Sequence, residues 1–131
     1  MRKKRPSLSS SLIRLAAAVL PLQAAALEFG SAPNSIALGQ PLDFSVPLRL
    51  EPGESIAPDC ATADVTLGDK PIPRPLVRAQ VQQTQPGSAT VRASSGLLMD
   101  EPLVYIEISV GCPARLTRRF VVLADPSAAA T

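Results

Sequence analysis

The sequence of 131 residues contains no histidine and no tryptophan, and its aromatic residues are three phenylalanines and one tyrosine. Without histidine, the chain lacks the commonest general base, the serine–histidine nucleophile pair and the usual ligand of zinc and copper sites. So few aromatic rings form no platform for stacking sugars. The sequence therefore argues against an enzyme, and we predict no catalytic residue, no metal site and no cofactor.

The remaining chemically active side chains do not form a recognisable site. Asp100 and Glu101 are adjacent, so on an extended chain they point to opposite faces and make a poor acid–base pair. Asp59, Asp64 and Asp69 lack the glycine-punctuated spacing of a calcium loop. There is also no glycine-rich phosphate loop. We interpret these acids as solvated surface residues.

The first 26 residues have the three parts of a secretory signal peptide. Residues 2–5 are all basic, residues 15–22 form a short apolar run, and three alanines at 24–26 fit a cleavage site before Leu27. A membrane anchor is one alternative, but a spanning helix needs about 20 apolar residues. Arg14 and Pro21 bracket the apolar run and keep it shorter. A basic nucleic-acid arm is the other alternative, and the apolar run argues against it. We predict a cleaved signal peptide over residues 1–26.

Removal of this leader reverses the sign of the net charge. Five of the 13 basic residues lie within it and all 11 acidic residues follow it, which leaves 8 basic and 11 acidic residues, a net charge of −3. A mildly acidic domain gives no electrostatic reason to bind DNA or RNA. We therefore predict no nucleic-acid partner, and no stable membrane anchor after cleavage.

Two cysteines, Cys60 and Cys112, follow the leader. In an exported protein an even number of cysteines predicts a disulfide. Closing a loop of this length removes about 4 kcal/mol of denatured-state entropy in the chain-entropy account. An intermolecular bridge and a free thiol pair are the alternatives. A redox role is a further one, although the pair lacks the C-x-x-C spacing.

Apolar residues alternate with polar ones at a period of two, as in half-buried β-strands, through most of the chain after Leu27. The longest such element is a predicted β-hairpin over residues 102–126, which turns at Gly111. No helical periodicity, repeat or second domain is present. We predict an all-β domain over residues 27–126, a two-sheet antiparallel sandwich of about seven short strands, followed by a disordered tail at 127–131. An immunoglobulin-like topology is an analogy, because the core tryptophan of antibody domains is missing.

Three local predictions concern surfaces. Pro47 lies on the outward side of the strand at 42–50, so this strand should be an edge or carry a bulge there. The apolar triplet 97–99 should close one end of the core, an exposed binding patch being the alternative. The candidate interaction surface for anionic glycans or lipid head groups, with ordinary surface charge as the alternative, consists of Arg92, Arg115, Arg118 and Arg119.

Residues 35–50, SIALGQPLDFSVPLRL, carry Gln40-Pro41-Leu42 ahead of alternating apolar residues, and residues 101–126 run from Glu101-Pro102 to Leu123-x-Asp125-Pro126. Together the two stretches resemble the N-terminal domain of the FimV family, whose opening signature is similar to the first of them. Residues 101–126 resemble its closing segment, in which a Glu-Pro strand turns into an arginine-containing strand that ends in Leu-x-Asp-Pro. Gly39 stands where the family usually has asparagine, and the two cysteines are not a general family feature.

The resemblance implies a domain type and a location. FimV-type proteins carry this domain in the periplasm and continue into a peptidoglycan-binding LysM module, a membrane span and an acidic cytoplasmic region. Those parts act as a scaffold for type IV pilus assembly and twitching motility. We therefore expect a stand-alone, non-enzymatic periplasmic binding or assembly module with an envelope protein or a peptidoglycan-associated partner. Secretion is the alternative location. A self-assembling secreted or pilus-like structural subunit is the alternative function.

Overall fold

The computed structural model describes residues 16–19 and 27–126. Within them the chain forms nine β-strands and one turn of 3₁₀-helix at Arg74–Leu76. In chain order the strands are β1 (Glu28–Phe29), β2 (Ser35–Ala37), β3 (Pro41–Arg49), β4 (Ala61–Leu67), β5 (Lys70–Pro71), β6 (Val77–Gln85), β7 (Ser88–Leu98), β8 (Leu103–Val110) and β9 (Leu116–Asp125).

The strands form two sheets, which confirms the predicted all-β, two-sheet architecture. One sheet has four strands in the order β1-β3-β7-β6, and the other has five in the order β2-β9-β8-β4-β5. All pairs are antiparallel except β2 with β9, which is parallel. The described residues contain nine strands, more than the seven or so predicted. Three of the nine, β1, β2 and β5, are only two or three residues long.

The long strands β3, β4, β7 and β8 bury alternate side chains, as the sequence pattern predicts, whereas β6 buries only Val81. In β3 the even-numbered apolar residues from Leu42 to Leu48 are buried, and the odd-numbered residues between them point outward. Phe120 of β9 packs against rings of the opposite sheet, with centroids 5.7 Å from Phe29 and 5.3 Å from Phe44. Aromatic pairs at such separations add to the stabilisation from burial alone. The two inward rows thus form one core.

The predicted hairpin over 102–126 is confirmed as β8 and β9. Its register pairs Val110 with Leu116 and Leu103 with Leu123. Gly111 in the turn has φ +118°, a conformation that residues with a Cβ rarely adopt. β6 and β7 form a second antiparallel hairpin.

Two of the local predictions, for Pro47 and for the triplet 97–99, have different outcomes. Pro47 faces β1, since its carbonyl accepts a hydrogen bond of 2.8 Å from the Gly30 amide, and β1 ends at that point. β3 lies between β1 and β7, but the pairing with β1 covers only Leu48 and Arg49. The missing N–H of Pro47 therefore faces the side on which β3 has no strand partner at that point, as expected of a local edge. Of the triplet 97–99, Met99 is fully buried whereas Leu97 and Leu98 are 41% and 56% exposed, so only Met99 closes the core. The proline-rich segment 70–75 contains β5 and the start of the 3₁₀ turn.

The predicted leader and tail lie almost entirely outside the described residues. Of residues 1–26 only 16–19 are described, and they are exposed and have no regular secondary structure. Residues 127–131 are not described. Among the residues that are, no helix is long and apolar enough to cross a membrane.

Candidate interaction surface

The outer face of the five-stranded sheet carries apolar side chains in adjacent positions on β8 and β9. Leu103 lies directly opposite Leu123, and Tyr105 lies opposite Val121. Leu103 is 39% exposed, Val121 54% and Leu123 55%. Side chains directly opposite one another on a sheet face have Cβ atoms about 5 Å apart, so these four form one continuous surface. We call this set the apolar patch.

The other half of the same face is polar. Glu107 is paired in register with Arg119, and the next pair, Ser109 and Thr117, joins its hydroxyl groups at 2.7 Å. Arg119 places its guanidinium 5.6 Å from the centroid of the Tyr105 ring, which is within the range of a cation–π contact. The charged half and the apolar patch therefore meet at Tyr105.

Beside this polar half, Asp64 of β4 holds Arg74 through two hydrogen bonds. The Nε and Nη2 atoms of Arg74 donate to the two carboxylate oxygens at 2.7 and 2.9 Å. These bonds and the positive charge lower the pKa of Asp64, although partial burial opposes the shift. The same contact raises the pKa of Arg74. Asp64, interpreted from the sequence as a solvated acid, is thus half of a bidentate ion pair.

The four arginines of the predicted surface do not share one sheet face. Arg92 lies on β7 in the four-stranded sheet, whereas Arg118 and Arg119 lie on β9 in the five-stranded sheet. Arg115 precedes β9 and donates from Nη1 to the Thr62 hydroxyl at 3.3 Å. Arg118 occupies an inward position of β9 with its guanidinium 5.2 Å from the Phe120 ring centroid. Arg119 alone of the four lies among the paired outward residues that include the apolar patch.

Arg92 is already held by an acid of its own sheet. Its Nε and Nη2 atoms donate to the Asp43 carboxylate at 2.8 and 3.0 Å, and this contact raises the pKa of Arg92. The pair borders an open groove of about 740 Å³ on the four-stranded sheet, which Arg78 and Ser94 also line. Any anion entering this groove would compete with Asp43 for the Arg92 side chain.

The predicted disulfide joins Cys60 to Cys112, which are 5.6 Å apart between Cα atoms. Cys60 directly precedes β4 and Cys112 follows β8 by two residues, and these strands pair from Ala61 opposite Val110. A structural disulfide of this kind is typical of an oxidising compartment outside the cytoplasm. A second cavity, of about 470 Å³, opens beside the bridge and is lined in part by Leu27, Glu54 and Arg115.

Sequence reasoning did not single out the apolar patch, although its signal was present. In β9 the outward residues begin as Thr117 and Arg119 and continue as Val121 and Leu123. An outward row that changes from polar to apolar departs from the polar outer row of a half-solvated strand. That change is visible once the face of each residue is assigned.

In comparisons with known proteins, no family model matches this chain and no curated protein matches it. Among the described residues, no group of three or more Cys, Asp or Glu side chains lies close enough to hold a metal ion. The resemblance to the FimV N-terminal domain therefore rests on its two sequence motifs and stays a prediction.

Proposed function

We propose that this protein is a non-enzymatic periplasmic module that binds an envelope protein, or a peptidoglycan-associated one, through the apolar patch. The observation that carries the proposal is the exposure of Val121 and Leu123, each more than half accessible on a regular strand of a well-packed sheet. Clustered apolar side chains rimmed by polar ones are typical of protein-binding surfaces. Arg119 and Glu107 at the rim supply charges that orient a partner.

The location and the family are part of the same proposal. The leader and the disulfide support export, and the Gln40-Pro41-Leu42 and Leu123-x-Asp125-Pro126 motifs support a relation to the FimV N-terminal domain. On this basis the module works in type IV pilus assembly or in envelope organisation. The four-stranded order β1-β3-β7-β6 corresponds to strands A, B, E and D of an immunoglobulin domain. The order β9-β8-β4 corresponds to G, F and C, which supports an immunoglobulin-like topology.

Affinity capture from an envelope fraction tests this proposal. The double variant Val121→Thr/Leu123→Thr places threonine, a β-branched residue that favours strands, at both positions and removes the apolar surface. A matched control, Gln80→Thr/Gln82→Thr, changes two outward residues of β6 on the other sheet. We expect wild type and control to retain the same partner and the patch variant to lose at least tenfold in affinity. Equal retention by all three proteins would remove the patch as the binding surface.

A second candidate function, self-assembly as a structural subunit, is favoured by the edges of the sheets. Three of the four edge strands, β1, β2 and β5, have two or three residues, whereas β6 has nine and pairs only with β7 among the described strands. The Pro47 carbonyl accepts from Gly30 and so points away from β7, which leaves the N–H and C=O groups of its partner Thr90 facing Gln82 of β6. Because these groups alternate in direction along a strand, those of Ala79 and Val81 point away from β7. Such an open edge is a template for strand addition. Concentration-dependent oligomers that Ala79→Pro abolishes would favour this function over the first.

A further inference from the structure

One carboxylate oxygen in the described part of the chain is buried without a partner. Oε1 of Glu54 is inaccessible to solvent and has no hydrogen-bond partner. Burying part of a carboxylate without a donor is costly, so such an oxygen calls for a cation, a donor or a bound water. Glu54 lines the 470 Å³ cavity beside the disulfide, which has room for a bound group.

The fold brings Leu27 to the same cavity. Because Glu28 lies opposite Arg49 in the pairing of β1 with β3, the preceding residue, Leu27, lies next to Leu50. The chain then turns, and the Glu54 amide donates to the Glu51 carbonyl at 2.9 Å. This turn folds Glu54 back beside the start of β1, and both Leu27 and Glu54 line the cavity.

Leu27 is also the residue that the predicted cleavage would make the first of the exported chain. Before cleavage its nitrogen is a neutral peptide amide, and after cleavage it is an α-ammonium group. We propose that Glu54 binds this new α-ammonium group, so that the cavity beside the disulfide is the binding site of the processed N-terminus. The proposal depends on cleavage before Leu27 and does not depend on the partner of the apolar patch.

The other charged side chains that line the cavities around Leu27 each have a contact of their own. Leu27 lines two neighbouring cavities, whose charged residues are Glu54 and Arg115 in one and Glu28 and Arg118 in the other. Arg115 donates to the Thr62 hydroxyl, Arg118 lies over the Phe120 ring, and the Glu28 carboxylate is 3.9 Å from Nη1 of Arg49. Among the described residues that line these two cavities, Glu54 is thus the carboxylate without a cation.

The proposal predicts a specific pH dependence. An α-amino group ordinarily has a pKa of about 8. Binding of its charged form by Glu54 raises the pKa of the α-amino group in the folded state above that value. The stabilisation is then complete below pH 8 and is lost as the pH rises through the raised pKa. We expect the unfolding constant of the processed protein to increase about tenfold more between pH 7 and 10 than that of Glu54→Gln.

The experiment uses protein exported with its own leader and checked by intact mass for a start at Leu27. After residue 26 the chain contains one lysine, Lys70, so reductive ¹³C-dimethylation labels only that side chain and the α-amino group. The two signals are followed by NMR from pH 6 to 11 in wild type, in Glu54→Gln and in Glu28→Gln. Glu28→Gln is the matched control because it removes a neighbouring carboxylate of the same charge.

We expect the α-amino group of wild type and of Glu28→Gln to titrate above its ordinary value, and that of Glu54→Gln to titrate lower. An α-amino group that titrates identically in wild type and Glu54→Gln would overturn the proposal and leave a bound water as the partner of Oε1. A start of the mature chain at any residue other than Leu27 would also overturn it.

Discussion

The two sheets bury their inner faces in the same way but differ in their outer faces and edges. The outward residues of β7, from Ser88 to Ser94, are hydroxyl-bearing or charged throughout, whereas those of β9 end in Val121 and Leu123. The four-stranded sheet has the long open edge β6, whereas both edges of the five-stranded sheet are short. The disulfide flanks two paired strands of the five-stranded sheet. The five-stranded sheet thus exposes paired apolar side chains in the middle of its face, whereas the four-stranded sheet exposes large apolar side chains only near the end of β7, at Leu97 and Leu98, and has the longest edge strand.

The largest expected effect comes from removing the covalent link next to the five-stranded sheet. We expect Cys60→Ser/Cys112→Ser to lower the free energy of unfolding by about 4 kcal/mol, because the bridge closes a loop of more than 50 residues in the unfolded chain. Urea unfolding of the oxidised wild type and the double variant measures this difference. A loss below about 1 kcal/mol would show that the bridge adds little to this fold.

A pair of proline substitutions tests which backbone groups of β6 face the open edge. The Gly30–Pro47 hydrogen bond, carried across the register of β3, β7 and β6, places the N–H of Gln80 toward β7 and that of Ala79 away from it. We expect Gln80→Pro to lower the free energy of unfolding by about 3 kcal/mol and Ala79→Pro to lower it by less than about 1 kcal/mol. Thermal or urea unfolding compares the two. Equal losses would mean that β6 has a partner on its outer side.

Val121→Thr/Leu123→Thr makes the outward row of β9 resemble that of β7. If the apolar patch is free in the isolated protein, the free energy of unfolding changes by less than about 1 kcal/mol, because exposed positions on a strand tolerate threonine. Binding of an apolar dye should fall in parallel. A loss of about 2 kcal/mol or more would instead mean that the patch packs against another part of the chain.

The smallest expected effect concerns the Asp64–Arg74 pair beside the polar half of the five-stranded face. Because the pKa of Asp64 is lowered from its ordinary value of 3.8, the pair stabilises the fold above that pH and the contribution is lost as the pH falls through the lowered pKa. The effect is small since the side chains are 45% and 68% exposed. Arg74→Gln should reduce the acid dependence of stability below pH 4. Arg49→Gln, whose contact with Glu28 is longer, serves as the control.

Local periodicity predicted the inward rows of β3 and β8 and the hairpin at Gly111, because alternation along one strand depends on neighbouring residues alone. Strand order is not contained in that signal. The parallel pairing of β2 with β9 joins residues nearly 90 positions apart, and it was not predicted. For the same reason the four arginines could be assigned to strands but not to one face. Arg92 lies on the sheet that does not contain β9.

The sequence predicts some of the candidate sites and not others. The disulfide follows from counting two cysteines after a leader, and the structure places them within bonding distance. The apolar patch could have been predicted by assigning the residues of β9 that follow Arg119 to the inward or the outward face. Glu54 has no periodic signal, because it follows a turn and becomes buried only through the return of the chain to the start of β1.

We expect the five-stranded face, and not the four-stranded one, to contact a partner in the envelope. A photoreactive amino acid placed at position 121 of β9, and in a second protein at position 82 of β6, tests this in the cells that produce the protein. We expect a discrete cross-linked species of higher mass from position 121 and none from position 82. Cross-links from position 82 alone, or equal cross-links from both positions, would contradict it.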